Sequence, residues 1–223
     1  MLSEAELNAL ISLLDDDDPD VCSHVAARLE QQGKAVIPIL ENAWSDAMSA
    51  ALYERIQHII ANIQQQDLLT EFKKWGAQLQ PDLFTGAALV SKYFDPDTEP
   101  EKLWVDIQKL KRSIWIEFNY HQTPLEQIHV FNHVFYNYHG FSGVQHSNQY
   151  RDFCLNHVLQ SRRGTPISVG IVYLILCAEL NIPVYGVPLF RHFIMAYCHH
   201  HLLEFNMPAI EKEVLFYINP VHN

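Results

Sequence analysis

Residues 166–180 constrain this chain more than any other stretch. Apolar side chains surround the segment on nearly every side, so as a helix it has no face to offer water and must lie in the middle of a fold. Its longest apolar run, residues 167–178, has twelve residues, where a membrane-spanning helix needs about twenty. A buried helix requires a coat. With 223 residues, 48% of them hydrophobic and 12% aromatic, the chain has enough apolar material to build one and too much to stay disordered.

The part of the chain before that helix also reads as helical. Ser3 suits an N-cap, with Glu4 and Glu6 in the first turn, where negative charge favours the helix dipole. Leu7, Leu10, Ile11 and Leu14 then fall on one face. The run Asp15-Asp16-Asp17-Asp18 before Pro19 ends this helix and caps the next, which carries Val21, Val25, Ala26 and Leu29 and stops at Gly33. The acidic run lacks the spaced ligands and glycine of a calcium loop. A third helix carries Val36, Ile37, Leu40 and Trp44, with Pro38 tolerated in its first turn. A fourth carries Leu52, Ile56, Ile59, Ile60 and Ile63. Short amphipathic helices joined by Asp-Pro and Gly turns resemble a HEAT-type repeat, and residues 1–66 are expected to form a HEAT-like unit.

From residue 67 the pattern stays helical to about residue 120, with turns at Pro81 and at Asp95-Pro96-Asp97 and a stripe of Leu103, Ile107, Leu110 and Ile114. Further helices are expected over 125–135 and 154–159, on either side of the glycine turn Gly140-Phe141-Ser142-Gly143. Strand patterns come only after Pro183, over 184–189, 192–198 and 214–218. A helical front, one central helix and trailing strands predict an α+β fold, with residues 67–223 as the second domain.

Arg162-Arg163-Gly164-Thr165-Pro166-Ile167-Ser168 opens the buried helix, and Asn181-Ile182-Pro183 closes it. Arg191-His192-Phe193 and Tyr217-Ile218-Asn219-Pro220 follow. Phe153-Cys154-Leu155-Asn156, Glu126-Gln127, Asn132 and the glycine turn precede it. Together these resemble the transglutaminase-like superfamily, in its branch of SirB-type bacterial proteins, from about residue 68 onward. The resemblance implies a papain-like domain with a central buried helix and a small antiparallel sheet. In active members a cysteine begins that helix, a histidine follows on the next strands, and an aspartate comes on the strand after. The helix N-terminus favours the thiolate, the histidine acts as base and the aspartate orients it. Carried over, the cysteine position falls on Pro166, which has no nucleophile. His192 matches the histidine. Asn219 replaces the aspartate and can accept a hydrogen bond from an imidazole, but brings no charge. Such a degenerate triad implies a pseudoenzyme.

The residues of the block have a plain structural use as well. Thr165 can N-cap the helix, and proline is favoured at the first helical position because its missing N–H had no partner there. Ser168, two residues on, is turned by about 200° from position 166. Arg162 and Arg163, the only adjacent arginines, serve either in ordinary surface pairing or, with Thr165, in holding an anionic ligand or partner.

Four cysteines lie far apart with no paired spacing, so neither a disulfide framework nor a cysteine-rich zinc site is expected. Cys154 and Cys177 read as core residues, and Cys198, next to His199-His200-His201, as the exposed one. On a strand His199 and His201 would point the same way and could hold a metal with a third ligand; a solvated turn is the simpler use. The formal charge of −11 disfavours nucleic acid, and the acidic N-terminus is unlike a secretory signal. The expected protein is cytoplasmic, without cofactor, metal or membrane contact, and binds a peptide or protein as a scaffold. The rival readings are a hydrolase or acyltransferase pairing His192 with Ser168, and a metal binder using the histidine run.

Overall fold

The computed structural model describes residues 2–45, 49–119, 121–144, 149–189, 192–200 and 212–220. The chain divides into two compact units, Met1–Gln78 and Leu79–Asn223.

The first unit is helical throughout its described residues. Helix α1 (Glu4–Leu13) opens with a reciprocal cap between Ser3 and Glu6. Helix α2 (Pro19–Glu30) starts with Asp18 as its cap and Pro19 in the first turn. The acidic run is thus a turn and a cap, and Asp16 Oδ1 accepts the Asp18 N–H at 2.9 Å. Arg55 reaches across to donate to the carbonyls of Leu14 and Asp16, serving oxygens that the end of α1 leaves unpaired. Gly33 turns the chain at φ +66°, a backbone conformation that side chains disfavour. Helices α3 (Ile37–Ser45) and α4 (Ala50–Gly76) follow. Leu7, Ile11, Leu14, Val25, Leu29, Val36, Leu40, Ile56, Ile59 and Ile63 form the core. Helix α4 runs ten residues past position 66, so the helix that supplies Ile56, Ile59 and Ile63 carries this unit to Gln78.

In the second unit α5 (Leu83–Phe94), α6 (Pro100–Glu117) and α7 (Pro124–Asn132) precede a π-helical segment at His133–Tyr138. Strand β1 (Ser142–Gly143) pairs in parallel with β2 (Arg163–Gly164), which follows α8 (Leu155–Ser161). Gly140, at φ +72°, turns the chain into this pair. Helix α9 (Pro166–Glu179) is the central element, with Val169, Val172, Tyr173, Ile175, Leu176 and Cys177 all buried. Three antiparallel strands follow in sheet order: β3 (Val184–Pro188), β4 (Phe193–Cys198) and β5 (Val214–Ile218).

Strand alternation gives the sheet two different faces. Val184, Met195, Tyr197 and Ile218 join the main core with α9, while Val187, Ala196 and Cys198 form a small cluster on the other side. The aromatic run after residue 130 supplies the centre of the main core. Phe131, Phe135 and Phe141 are buried, Phe135 stacks on Phe141 at 4.2 Å, and Phe131 lies 4.2 Å from Tyr173. No helix among the described residues is long and apolar enough to cross a membrane.

Candidate functional site

The start of α9 is closed by its own hydroxyls. Thr165 is the N-cap, its Oγ1 accepting the Ser168 N–H at 3.2 Å, and Pro166 stands in the first turn. Ser168 is 5% exposed. Its hydroxyl donates to the Asp152 carbonyl at 2.5 Å and lies 3.0 Å from Thr165 Oγ1 and 3.1 Å from the Thr165 carbonyl. The Thr165 N–H also donates to the Asp152 carbonyl. One backbone oxygen therefore gathers the cap residue and the serine. Gly164 lies directly beneath them: a Cβ there would come 2.6 Å from Ser168 Oγ and 2.7 Å from Val158 Cγ2.

The strands also bring an aromatic ring to the helix. Phe193, at the start of β4, lays its ring against Gly170, one turn into α9, and against Gly186 on β3. Neither glycine has room for a Cβ without moving that ring. His192 precedes Phe193 and is exposed. Its N–H and carbonyl exchange hydrogen bonds with Leu189, one step beyond the Pro188–Phe193 pair at the connection end of the β3–β4 hairpin. The alternation that turns Phe193 inward assigns His192 to the face of Ile194 and Ala196. Met195 pairs with Ile218, so Asn219, exposed just after β5, lies opposite Ile194 at the same end of the sheet as His192. Among the described residues no hydrogen bond joins the His192 imidazole to Ser168 or Thr165, whose hydroxyls turn to each other and to backbone carbonyls.

The two arginines separate. Arg163 is exposed on β2. Arg162 ends α8 in the left-handed region at φ 60° and lays its guanidinium over the Phe141 ring at 4.9 Å. Its Nη1 is buried with no hydrogen-bond partner among the described residues, and burial pulls its pKa down. Close by, His139 Nε2 shares a 2.6 Å hydrogen bond with the Ser113 hydroxyl, and burial, then the Arg162 charge, lowers the pKa of His139.

Sequence reasoning passed over two features. Asp152, whose carbonyl holds Ser168, has its carboxylate 3.6 Å from His157 Nε2. His157 is one of 13 histidines in the chain, and its spacing does not set it apart. The Phe193–Gly170 contact did have a signal, because a lone glycine inside a buried helix marks a close approach.

The cysteines correct one expectation. Cys198 is buried like the other three, packed with Val187 and Ala196 on the outer face of the sheet. Burial raises its pKa, and Glu213 adds to the effect. Cys177 is pushed well up by burial alone. His199 and His200 are exposed, and His201 lies outside the described residues. Among the described residues no group of three His, Cys, Asp or Glu side chains is placed to hold a metal.

Comparison with known proteins agrees with this architecture. A UPF0162 protein of Vibrio cholerae serotype O1 is 26% identical over 116 residues, covering 52% of this chain and 43% of that relative. The match thus spans less than half of the curated relative's length. No solved structure matches. The family model of the transglutaminase-like superfamily matches residues 101–223, which hold α6, the buried α9 and the whole antiparallel sheet, and the chain belongs to that superfamily.

Proposed function

We propose that this chain is a SirB-type, non-catalytic member of the superfamily, a HEAT-like unit joined to a domain that binds a peptide or protein segment without turning it over. One observation carries the reading. At the start of α9, where an active relative would carry a thiol, Pro166 offers no nucleophile, and the two adjacent hydroxyls, Thr165 and Ser168, are buried and committed to the helix cap and to the Asp152 carbonyl. A hydroxyl that attacks a carbonyl must instead be free to give its proton to a base. The degenerate positions Pro166, His192 and Asn219 fit that reading.

Surface chemistry beside α9 suits binding. Tyr150 and Phe153 flank Asp152 in a 3₁₀ turn and are exposed. Phe94, at the end of α5, stacks on Tyr150 at 5.4 Å, with Tyr93 edge-on to it. Ile167, in the first turn of α9, is also exposed. Exposed aromatic ledges of this kind anchor partner side chains.

Two measurements on the whole chain test the reading. Fluorophosphonate and chloroacetamide probes, read by intact mass and peptide mapping, are expected to leave Ser168 and Thr165 unmodified. A stoichiometric adduct at either, lost in His192→Ala, would make the protein an enzyme. Peptides selected from a random library are expected to lose about tenfold in affinity on Tyr150→Ala, the change for losing one anchor of roughly 1.4 kcal/mol.

A further inference from the structure

The end of the π-helical segment brings His139, Ser113 and Arg162 together against the aromatic core. His139 follows that segment, and Gly140 turns the chain behind it at φ +72°. Half-buried, His139 places its Nε2 2.6 Å from the Ser113 hydroxyl on α6. Arg162, also half-buried, spreads its guanidinium at 4.9 Å over Phe141, the residue after that glycine. The same arginine ends α8, and its carbonyl accepts the Ser142 N–H at 2.9 Å, which fastens β1 to β2. Strand β2 runs directly into the Thr165 cap of α9.

The charges around this group are unbalanced. The charge that acts on His139 is that of Arg162, and no carboxylate pairs with His139 among the described residues. Asp106 on α6 acts on Arg162, but it is already paired with Lys109 at 2.8 Å. Glu117, one turn beyond Ser113 on α6, is exposed and forms no ion pair with His139. On its own side of the cluster His139 meets the ring of Tyr138 edge-on at 5.0 Å. A proton on His139 therefore sets a second cation beside a guanidinium whose Nη1 is already buried without an acceptor. The Ser113 contact survives that proton. The hydroxyl can turn its own proton to the Leu110 carbonyl, 2.8 Å away, and accept the imidazolium N–H instead. The repulsion has no such outlet, and burial removes water that would screen it.

We propose that His139 and Arg162 form an acid-sensitive latch: neutral His139 keeps the glycine turn and the β1–β2 pair closed, and its protonation opens them locally while α9 stays folded. Burial first, then the Arg162 charge, holds the folded imidazole below its ordinary value of about 6.5. Above that value His139 is neutral whether the latch is closed or open, and the latch has its full strength. As pH falls below it the open form takes up the proton first, so the latch weakens down to the lower folded value. His157 faces Asp152 at 3.6 Å, so its protonation adds an attraction and works in the opposite sense. The latch uses neither the hydroxyls at the start of α9 nor the aromatic ledge beside them, so it and the binding reading can fail separately.

The test is hydrogen exchange of the full chain, read by mass spectrometry and corrected for the intrinsic pH dependence of amide exchange. It follows peptides spanning 134–144 and 155–164. One proton changes an opening constant by at most about tenfold per pH unit, so between about pH 7.5 and about pH 5.5 these peptides should lose about three- to tenfold in protection. Peptides from α9 should lose less than about twofold over the same range. His139→Gln leaves Ser113 a partner without a titrating charge and should cancel the excess loss. In an NMR titration of the unaltered chain, the His139 signal, assigned by its absence in His139→Gln, should have its midpoint below about 6.5. Arg162→Gln should move that midpoint up. The latch is overturned if α9 loses as much protection as the two peptides, if the excess loss persists in His139→Gln, or if they lose none. A His139 midpoint at or above about 6.5, or one unmoved by Arg162→Gln, overturns it as well, and the first of these needs no variant that might fail to fold.

Discussion

Gly164→Ala tests whether the Arg-Arg-Gly-Thr-Pro-Ile-Ser block is built for packing. The new methyl group would meet Ser168 Oγ at 2.6 Å, Val158 Cγ2 at 2.7 Å and the Asp152 carbonyl at 3.1 Å. None of the three can easily give way. Val158 is fully buried, Asp152 O is backbone, and Ser168 Oγ is held by contacts to Asp152 O, Thr165 O and Thr165 Oγ1. Overpacking of this kind costs about 1–3 kcal/mol, and pushing Ser168 off the Asp152 carbonyl forfeits about 1 kcal/mol more. Alanine also stiffens the unfolded chain, which returns about 0.4–1 kcal/mol. The net loss is about 2 kcal/mol. Because the chain has two units, a single melting curve would mix them; native-state hydrogen exchange of peptides from α9 isolates the second. A loss of about 2 kcal/mol speeds their exchange about 30-fold. Ser168→Ala removes the nearest obstacle, so the double variant should lose less than the sum of the singles. Exchange within about twofold of the parent for Gly164→Ala, or strict additivity in the double variant, would refute the packing argument.

Three further outcomes are expected. Tyr173→Phe removes a 2.9 Å bond to Asn132 Oδ1 and leaves that oxygen without its donor, which should cost about 1–3 kcal/mol by the same exchange measurement; no change would show that water replaces the phenol. Hydrogen bonds from the Thr123 backbone N–H, then from its hydroxyl, hold Glu126 below the usual carboxylate range, so this cap is complete above the unfolded pKa and fades as pH falls through the lower folded value. In a carbon NMR titration Thr123→Ala should move Glu126 part of the way back up, and an unmoved midpoint would refute that cause. All four cysteines are buried, so a disulfide thiol reagent should react with the native chain only at the pace of opening, Cys198 included; rapid reaction of Cys198 would contradict its burial beside Val187 and Ala196.

The backbone layout was largely legible because it rests on periodicity and punctuation. The apolar run of α9, Gly164 and Pro166 at its start with Pro183 beyond its end, and the alternating strands after Pro183 each encode structure within a few neighbouring residues. Cys198 was misplaced because its burial depends on which face of β4 packs with Val187, and that is settled across strands. The extent of α4 was hidden for a related reason. Its last turns, over residues 67–76, carry few buried side chains, so the apolar stripe that marks a helix fades before the helix does. Asp152 acts through its carbonyl, which no side-chain pattern reports.

Much of the motif that carried the family resemblance has a structural task. Asn132 takes the Tyr173 hydroxyl, Gln127 takes that of Tyr197, and Asn156 ties Asp95 to Thr98. These bonds hold α7, α8 and the sheet around α9 independently of any chemistry at its start. The imidazole of His192 depends on a single step of strand parity. Because side chains alternate, bringing His192 inward by a one-residue slip of β4 would turn Met195 and Tyr197 out of the main core and push Ile194 and Ala196 into it. It would also lift Phe193 from Gly170 and leave a cavity the size of a phenyl ring against two glycines. Emptying such a site costs about 3–5 kcal/mol, a large share of a domain's whole stability. The packing that builds the sheet on α9 thus keeps His192 on the hairpin's outer edge. Chemistry with Ser168 would have to break both the sheet register and the hydroxyl's bond to Asp152, whereas binding at the exposed aromatic ledge requires neither.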